Sequence, residues 1–163
     1  MAAVYSVRRA DYARAADARA IVALLDAYAS DPAGGGEPLS DFARQRLVPE
    51  LASRPHAFSV LAFDGEAAVG LVNCIEGFST FKCLPLVNVH DVVVLASHRG
   101  RGIAEAMLGE VERIARERGA CKLTLEVLSG NAPAMRLYQR VGFAGYQLDP
   151  AMGTASFLQK WLD

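Results

Sequence analysis

An α/β (α+β) domain with about seven strands and four helices is the fold class this sequence predicts. Three observations predict it. Apolar residues recur at helical spacing in four segments and as strand-like runs in seven others. Two of those runs flank a tight Asp-Gly-Glu turn at 64–66, the mark of a hairpin. Further on, one apolar run passes through a glycine-containing turn directly into a periodic helix, at 86–108.

The elements follow in order. "YSVRRA" (5–10) reads as a short first strand. Ile21, Leu24, Leu25 and Tyr28 fall at i, i+3, i+4 and i+7, an amphipathic helix. "SDPAGGGEPLS" (30–40) interrupts it as a mobile loop rich in Gly and Pro. A second helix is expected from Ser40, as N-cap, to about Ser53, with Pro49 positioned to kink or split it. "HAFSVLAF" (56–63) and "AAVGLVNCI" (67–75) are the hairpin strands, and "LVNVHDVVVL" (86–95) is a largely buried strand. Ala104, Leu108, Val111 and Ala115 repeat at helical spacing up to Gly119, which supplies a C-cap. "CKLTLEVL" (121–128) is another strand, and "NAPAMRLYQRVG" (131–142) a helix capped by Asn131. "AGYQLD" (144–149) and "SFLQKWL" (156–162) are expected to close the chain as paired strands.

Composition sets the outer bounds. A chain of 163 residues suits one domain, 1–163, with one core. Formal net charge is −1, so no global field selects nucleic acid or an anionic membrane. Cys74, Cys83 and Cys121 are odd in number and lack metal-ligand spacing, so no metal is expected. They read as free thiols, small buried hydrophobes of a cytoplasmic protein. The N-terminus has no apolar core before a cleavage site, and no apolar run is long enough to span a bilayer.

The stretch "HRGRGIAEAML" (98–108) joins bare backbone to positive charge where a helix begins. The first N–H groups of a helix lack internal partners, and the dipole there favours anions. Gly100 and Gly102 let a ligand approach the backbone, and Arg99 and Arg101 bring fork-shaped donors suited to phosphate. The chemistry implied is pyrophosphate binding. The P-loop pattern is missing, and Glu105 stands where a dinucleotide fingerprint needs its last glycine.

Arg99-x-x-Gly102-x-Ala104 resembles the acetyl-CoA motif R/Q-x-x-G-x-G/A of the GCN5-related N-acetyltransferases (GNAT). The likeness extends to Asn131, Ala134, Tyr138, Gly142 and Phe143, whose spacing resembles that family's second motif. The resemblance implies a mixed, mostly antiparallel sheet with helices on both faces. It implies a bulged fourth strand splayed from the fifth, and a pantetheine arm pairing with the backbone of Val92, Val93 and Val94. It further implies acetyl-CoA as cosubstrate, its pyrophosphate on residues 99–104, Ile103 included, and Asn131 hydrogen-bonded to the cofactor arm. A homodimer is an expectation at the level of the family.

Amide formation from a thioester needs a deprotonated amine, a donor for the oxyanion, expected from a backbone N–H near Val92, and a proton for the departing thiolate. Tyr138 occupies the position that the resemblance gives to the acid, although it also reads as a core aromatic on a stripe with Ala134 and Val141. His90 lies nine positions before Arg99, where a family member carries a histidine of a proton relay; a strand histidine is equally a structural residue. Asn88, where other members carry a glutamate base, cannot serve. Glu76 and Glu126 are reserves for the base. By alternation, Asn88 and His90 share one face of the strand and Val89 and Asp91 the other, Asp91 reading as structural. The acceptor mouth is expected between the 30–42 loop, "EGFSTFKCLP" (76–85) and the last strand pair. Asp31, Glu37, Asp41 and Glu76 make it mildly acidic and Phe78 and Phe81 aromatic, which suits a small cationic amine. The function expected is acetyl transfer to a small amine or polyamine. The alternatives are a protein or peptide N-acetyltransferase and a non-catalytic acyl-CoA-binding module.

Overall fold

The structure, a computed structural model, describes residues 5–162. Residues 1–4, which enter the expectation of no leader, and residue 163 lie outside the described residues. The chain divides into two compact units, Met1–Glu126 and Val127–Asp163.

The first unit is built on a five-stranded sheet in sequence order. Its strands are β1 (Tyr5–Arg9), β2 (Ala57–Asp64), β3 (Ala67–Ser79), β4 (Leu84–Val94) and β5 (Leu123–Leu125). The first four pair antiparallel, and β5 runs parallel to β4. Gly65 and Glu66 close the β2–β3 hairpin, with Gly65 at φ +60°. Helices α1 (Ala15–Ser30) and α2 (Asp41–Ala52) pack on one face, where Ile21, Leu24 and Val48 meet Leu61, Leu71 and Val93. Helix α3 (Ile103–Glu117) covers the face that carries the alternate residues. Its Met107 sits where Gly70 opens the sheet: a Cβ at Gly70 would stand 2.9 Å from the Met107 sulfur. Helices therefore occupy both faces of this sheet, as expected.

The helix starts follow from local chemistry. Ser40 Oγ accepts from the Ala43 N–H at 3.1 Å and opens α2. Helix α2 runs through Pro49 without splitting. Pro49 removes a bond to the Gln45 carbonyl, but both residues lie on the exposed side, where water can serve that carbonyl. Asp17, 1% exposed, ties α1 to β1 by accepting both Arg8 guanidinium nitrogens at 2.7 Å and the Asp11 N–H at 2.9 Å. The Arg8 hydrogen bonds hold its carboxyl below the usual carboxylate range, against the opposing effect of burial.

In the second unit, Asn131 Oδ1 accepts from the Ala134 N–H at 3.3 Å and starts α4 (Ala132–Arg140). The helix ends in a Schellman motif. The Phe143 N–H reaches the Tyr138 carbonyl at 2.9 Å, the Gly142 N–H reaches that of Gln139 at 3.1 Å, and Gly142 takes φ +100°.

Three expectations are corrected. Five strands are present among the described residues, not seven: 144–149 and 156–162 have no ladder partner. A strand is defined by the edge it pairs with, and alternation alone does not supply one. Tyr146, Leu148, Phe157 and Trp161 are exposed, and Asp149 instead caps a short turn at Pro150–Met152. Only Cys74 is a buried thiol; Cys83 lies in the β3–β4 turn and Cys121 before β5, both exposed. Burial pushes the Cys74 thiol well up. On β4, Asp91 shares a face with Asn88 and not with Val89, because His90 is bulged out of the ladder. No helix among the described residues is long and apolar enough to cross a membrane.

Candidate active site

Strand β4 has an open edge. Its ladder with β5 covers only Val87–Val89 against Leu123–Leu125. Beyond Val89 it pairs, among the described residues, with β3 alone, up to Val94 opposite Gly70. The backbone of Val92, Val93 and Val94 therefore borders an unfilled sheet edge, the kind of surface on which an extended ligand adds as a strand.

That edge runs into the glycine turn. After a short 3₁₀ turn at Ala96–His98, Gly100 and Gly102 take φ +73° and +77°, and Gly102 is the N-cap of α3. A Cβ on either would meet nothing within 4 Å, so the space above the turn is open. The first N–H groups of α3, those of Ile103 and Ala104, have no acceptor within the helix and point out of its end. The two arginines are engaged by the protein itself. Arg99 donates Nε to the Val94 carbonyl at 3.1 Å and Nη2 to Asp31 at 3.2 Å. Arg101 donates to the Tyr5 hydroxyl at 3.2 Å. All three contacts are exposed and screened by solvent, so an anion can compete with them.

The β4 bulge sets what faces the acceptor side. Asn73 pairs with Asp91 and Cys74 with Val89, which leaves His90 as the extra residue. Alternation breaks there. Asp91 comes onto the face of Asn88, with α1, and not onto that of Val89. His90 itself is exposed. Asp91 Oδ2 accepts from Asn73 Nδ2 at 3.0 Å, and Asn73 Oδ1 accepts from Ser59 Oγ at 2.6 Å. Ser59 and the Tyr12 hydroxyl share a hydrogen bond of 2.9 Å. Sequence reasoning missed this chain: Ser59 and Asn73 stand inside apolar runs, and only the cross-strand register brings them together.

The remaining expected site residues fall as follows. Glu76 is held by Arg118, Nη1 to Oε2 at 2.9 Å, and its other oxygen lies 3.7 Å from His56. Glu126 is exposed, one residue beyond the end of β5. Asp31 pairs with Arg99 and Asp41 with Arg44, so arginines offset three of the four acids expected at the acceptor mouth. The 30–40 segment is anchored near its end, where the Leu39 N–H donates to Asp26 at 2.8 Å, and Asp26 also accepts from Arg44 of α2. Phe78 and Phe81 are exposed. In the second unit, the Tyr138 ring meets Phe143 edge-on at 5.9 Å between centroids. The Tyr138–Gly142–Phe143 spacing is thus also what a Schellman stop with its apolar contact demands.

The sequence profile of the acetyltransferase (GNAT) family matches residues 12–143. Streptothricin acetyltransferase of Streptomyces lavendulae is 46% identical over 94 residues, 55% of this chain and 50% of that protein. An N-alpha-acetyltransferase of Sulfurisphaera tokodaii is 35% identical over 103 residues, 60% of this chain and 62% of that protein. The chain thus spans about half to three-fifths of the length of these curated relatives. Among solved structures, an aminoglycoside N-acetyltransferase in complex with CoA shares the fold at a TM-score of 0.74 and 19% identity, over 96% of this chain and 95% of that one.

Proposed function

We propose that this chain, which belongs to the acetyltransferase (GNAT) family, transfers the acetyl group of acetyl-CoA to a primary amine of a small molecule, polyamines included. The observation that carries the proposal is the open β4 edge leading into a glycine turn with outward helix N–H groups. The likeness to a streptothricin acetyltransferase supports the small-molecule class. The family match crosses the boundary between the two units, which supports reading them as parts of one catalytic domain.

The donors and the open space fit the cofactor. Val92, Val93 and Val94 would hold its extended arm by backbone pairing, and Gly100 to Ala104 its pyrophosphate. Arg99 and Arg101 add charge once they leave Asp31 and Tyr5. Asn131 spends Oδ1 on its own helix, which leaves its Nδ2 as the group that would bond the arm. When bound, acetyl-CoA supplies an acetyl group activated as a thioester. The chain's own task is then to move protons. His90 at the bulge is assigned as the base that takes one from the acceptor ammonium, directly or through water. The backbone N–H near Val92 donates to the developing oxyanion. Tyr138 Oη donates a proton to the departing sulfur. Glu126 stays a reserve base, whereas Glu76 is weakened as one because its Oε2 is already engaged by Arg118.

A screen of streptothricin, an aminoglycoside, spermidine and an N-terminal peptide, monitored by free CoA thiol release, tests the proposal. Thiol release with a small amine supports it. Release with the peptide alone would move the assignment to a peptide N-acetyltransferase, the reading that the likeness to the Sulfurisphaera tokodaii N-alpha-acetyltransferase favours. Cofactor binding with no release on any amine would leave a non-catalytic acyl-CoA-binding module.

A further inference from the structure

The Tyr12–Ser59–Asn73–Asp91 chain has a direction. Ser59 Oγ donates to Asn73 Oδ1, so the Asn73 amide must turn Nδ2 toward Asp91. The reverse amide would set its oxygen against the carboxylate. Because the Ser59 proton is used on Asn73, the Tyr12 hydroxyl must donate to Ser59. Every donor therefore points toward Asp91, and three polar groups are aligned on one carboxylate oxygen.

Such an alignment is costly to build. Ser59 is 0% and Asn73 4% exposed, in strands whose neighbours are Val, Leu and Phe. Buried polar groups of this kind cost free energy unless every partner is in place. The chain ends at a half-buried carboxylate with a difference from its peers. Asp17, Asp26 and Glu76 each have an arginine partner. Asp91 has no cation partner among the described residues, and its Oδ1 accepts no hydrogen bond from them. No fully buried side-chain polar atom lacks a partner among the described residues, so Oδ1 must reach solvent. It does so at the bulge, beside His90 and the open β4 edge, on the face of α1. The aromatic Tyr28 of α1 stands near enough that the Asp91 charge pushes up its hydroxyl, together with the larger effect of burial.

We propose that Asp91 is the specificity residue that holds the acceptor ammonium on its outward Oδ1, with Tyr12, Ser59 and Asn73 as positioning residues behind it. A half-buried, prealigned carboxylate without a cation is completed by a primary ammonium, which brings the charge and three donors. The inference rests on the proposed acetyl transfer to small amines and names how that site selects a cation. Holding the ammonium at Asp91 sets it one residue along the bulge from His90.

The test uses Asp91→Asn, which keeps shape and removes charge, and Ser59→Ala, which breaks the chain at a distance. Spermidine and streptothricin are the probes. In Asp91→Asn the KM for the amine should rise at least about tenfold while that for acetyl-CoA moves less than about twofold. Ser59→Ala should raise the amine KM by a smaller factor, in the same selective way. Amine KM within about twofold of wild type in Asp91→Asn would overturn the assignment. If wild type releases no thiol with any amine, the acetyl-transfer reading itself has failed. Calorimetric titration of spermidine into wild type and Asp91→Asn then decides on Asp91 alone. Selective loss of binding in the variant supports it; equal binding, or none to wild type, overturns it.

Discussion

Gly102 sits at φ +77° and ψ 7° as the N-cap of α3, and a Cβ there would meet no protein atom within 4 Å. Gly102→Ala therefore introduces backbone strain and no clash. Left-handed backbone costs an L-residue about 1–2 kcal/mol, and each kcal/mol lowers the melting temperature of a chain this size by about 2–4 °C. Gly119 provides the matched control. It lies just past the other end of α3, at φ +74°, also with nothing within 4 Å of its Cβ. Gly119→Ala should carry the same strain and the same thermal loss. The two variants differ only in what approaches from outside. If a pyrophosphate rests on the turn, the methyl at 102 keeps it from the N–H groups. Acetyl-CoA affinity should then fall at least about tenfold, or 1.4 kcal/mol, in Gly102→Ala and stay within about twofold in Gly119→Ala. Calorimetric titration reads the affinity and differential scanning the strain. Equal affinity in the two variants would refute the assignment of the phosphate site, whatever their stability.

Three further outcomes are expected. Asp17→Asn should cost about 1.5–3 kcal/mol in chemical denaturation at neutral pH, since it removes the charge that strengthens the hydrogen bonds to Arg8, itself 39% exposed. Because the folded Asp17 carboxyl titrates below its unfolded value, the pair's contribution is present above the unfolded pKa of about 3.9 and is lost as pH falls through the folded one. The stability difference between wild type and variant should thus shrink only in acid; a difference that is constant with pH contradicts it. Tyr138→Phe keeps the ring contact with Phe143 and removes the hydroxyl, so turnover should fall roughly 10²–10⁴-fold with acetyl-CoA affinity nearly unchanged; unchanged turnover with chemistry rate-limiting refutes the acid role. His90→Gln should lower kcat by a factor in the same range while moving the amine KM little. Equal kcat in wild type and His90→Gln would make His90 structural and Glu126 the next substitution.

What could be read from the sequence was what is local. The turn at 99–104 and the start of α3 follow from Gly100, Gly102 and the apolar repeat behind them, all within one segment. The caps at Ser40 and Asn131 follow from a side chain bonding three residues ahead. What could not be read depends on partners distant in sequence. The resemblance implied a bulge in this strand but not its place: its position at His90 exists only as a mismatch between two strands, and it moved Asp91 to the opposite face from the one that simple alternation gives. Ser59, Asn73 and Tyr12 carry no pattern of their own; strand register and the packing of the segment before α1 bring them together. The two closing strands failed for the related reason that β-propensity supplies no partner. Tyr138 shows how one spacing can answer two demands, since Tyr138, Gly142 and Phe143 stop a helix in the pattern that also resembles the family motif.

The most direct measurement is a single turnover with carbonyl-labelled acetyl-CoA and streptothricin, followed by mass spectrometry and NMR of the products. If the chain is an acetyl-CoA-dependent N-acetyltransferase of small amines, the label appears in an amide on a primary amine, with one free CoA thiol per amide formed. Label retained in acetyl-CoA, or released only as free acetate, across streptothricin, aminoglycoside and polyamine acceptors would contradict it.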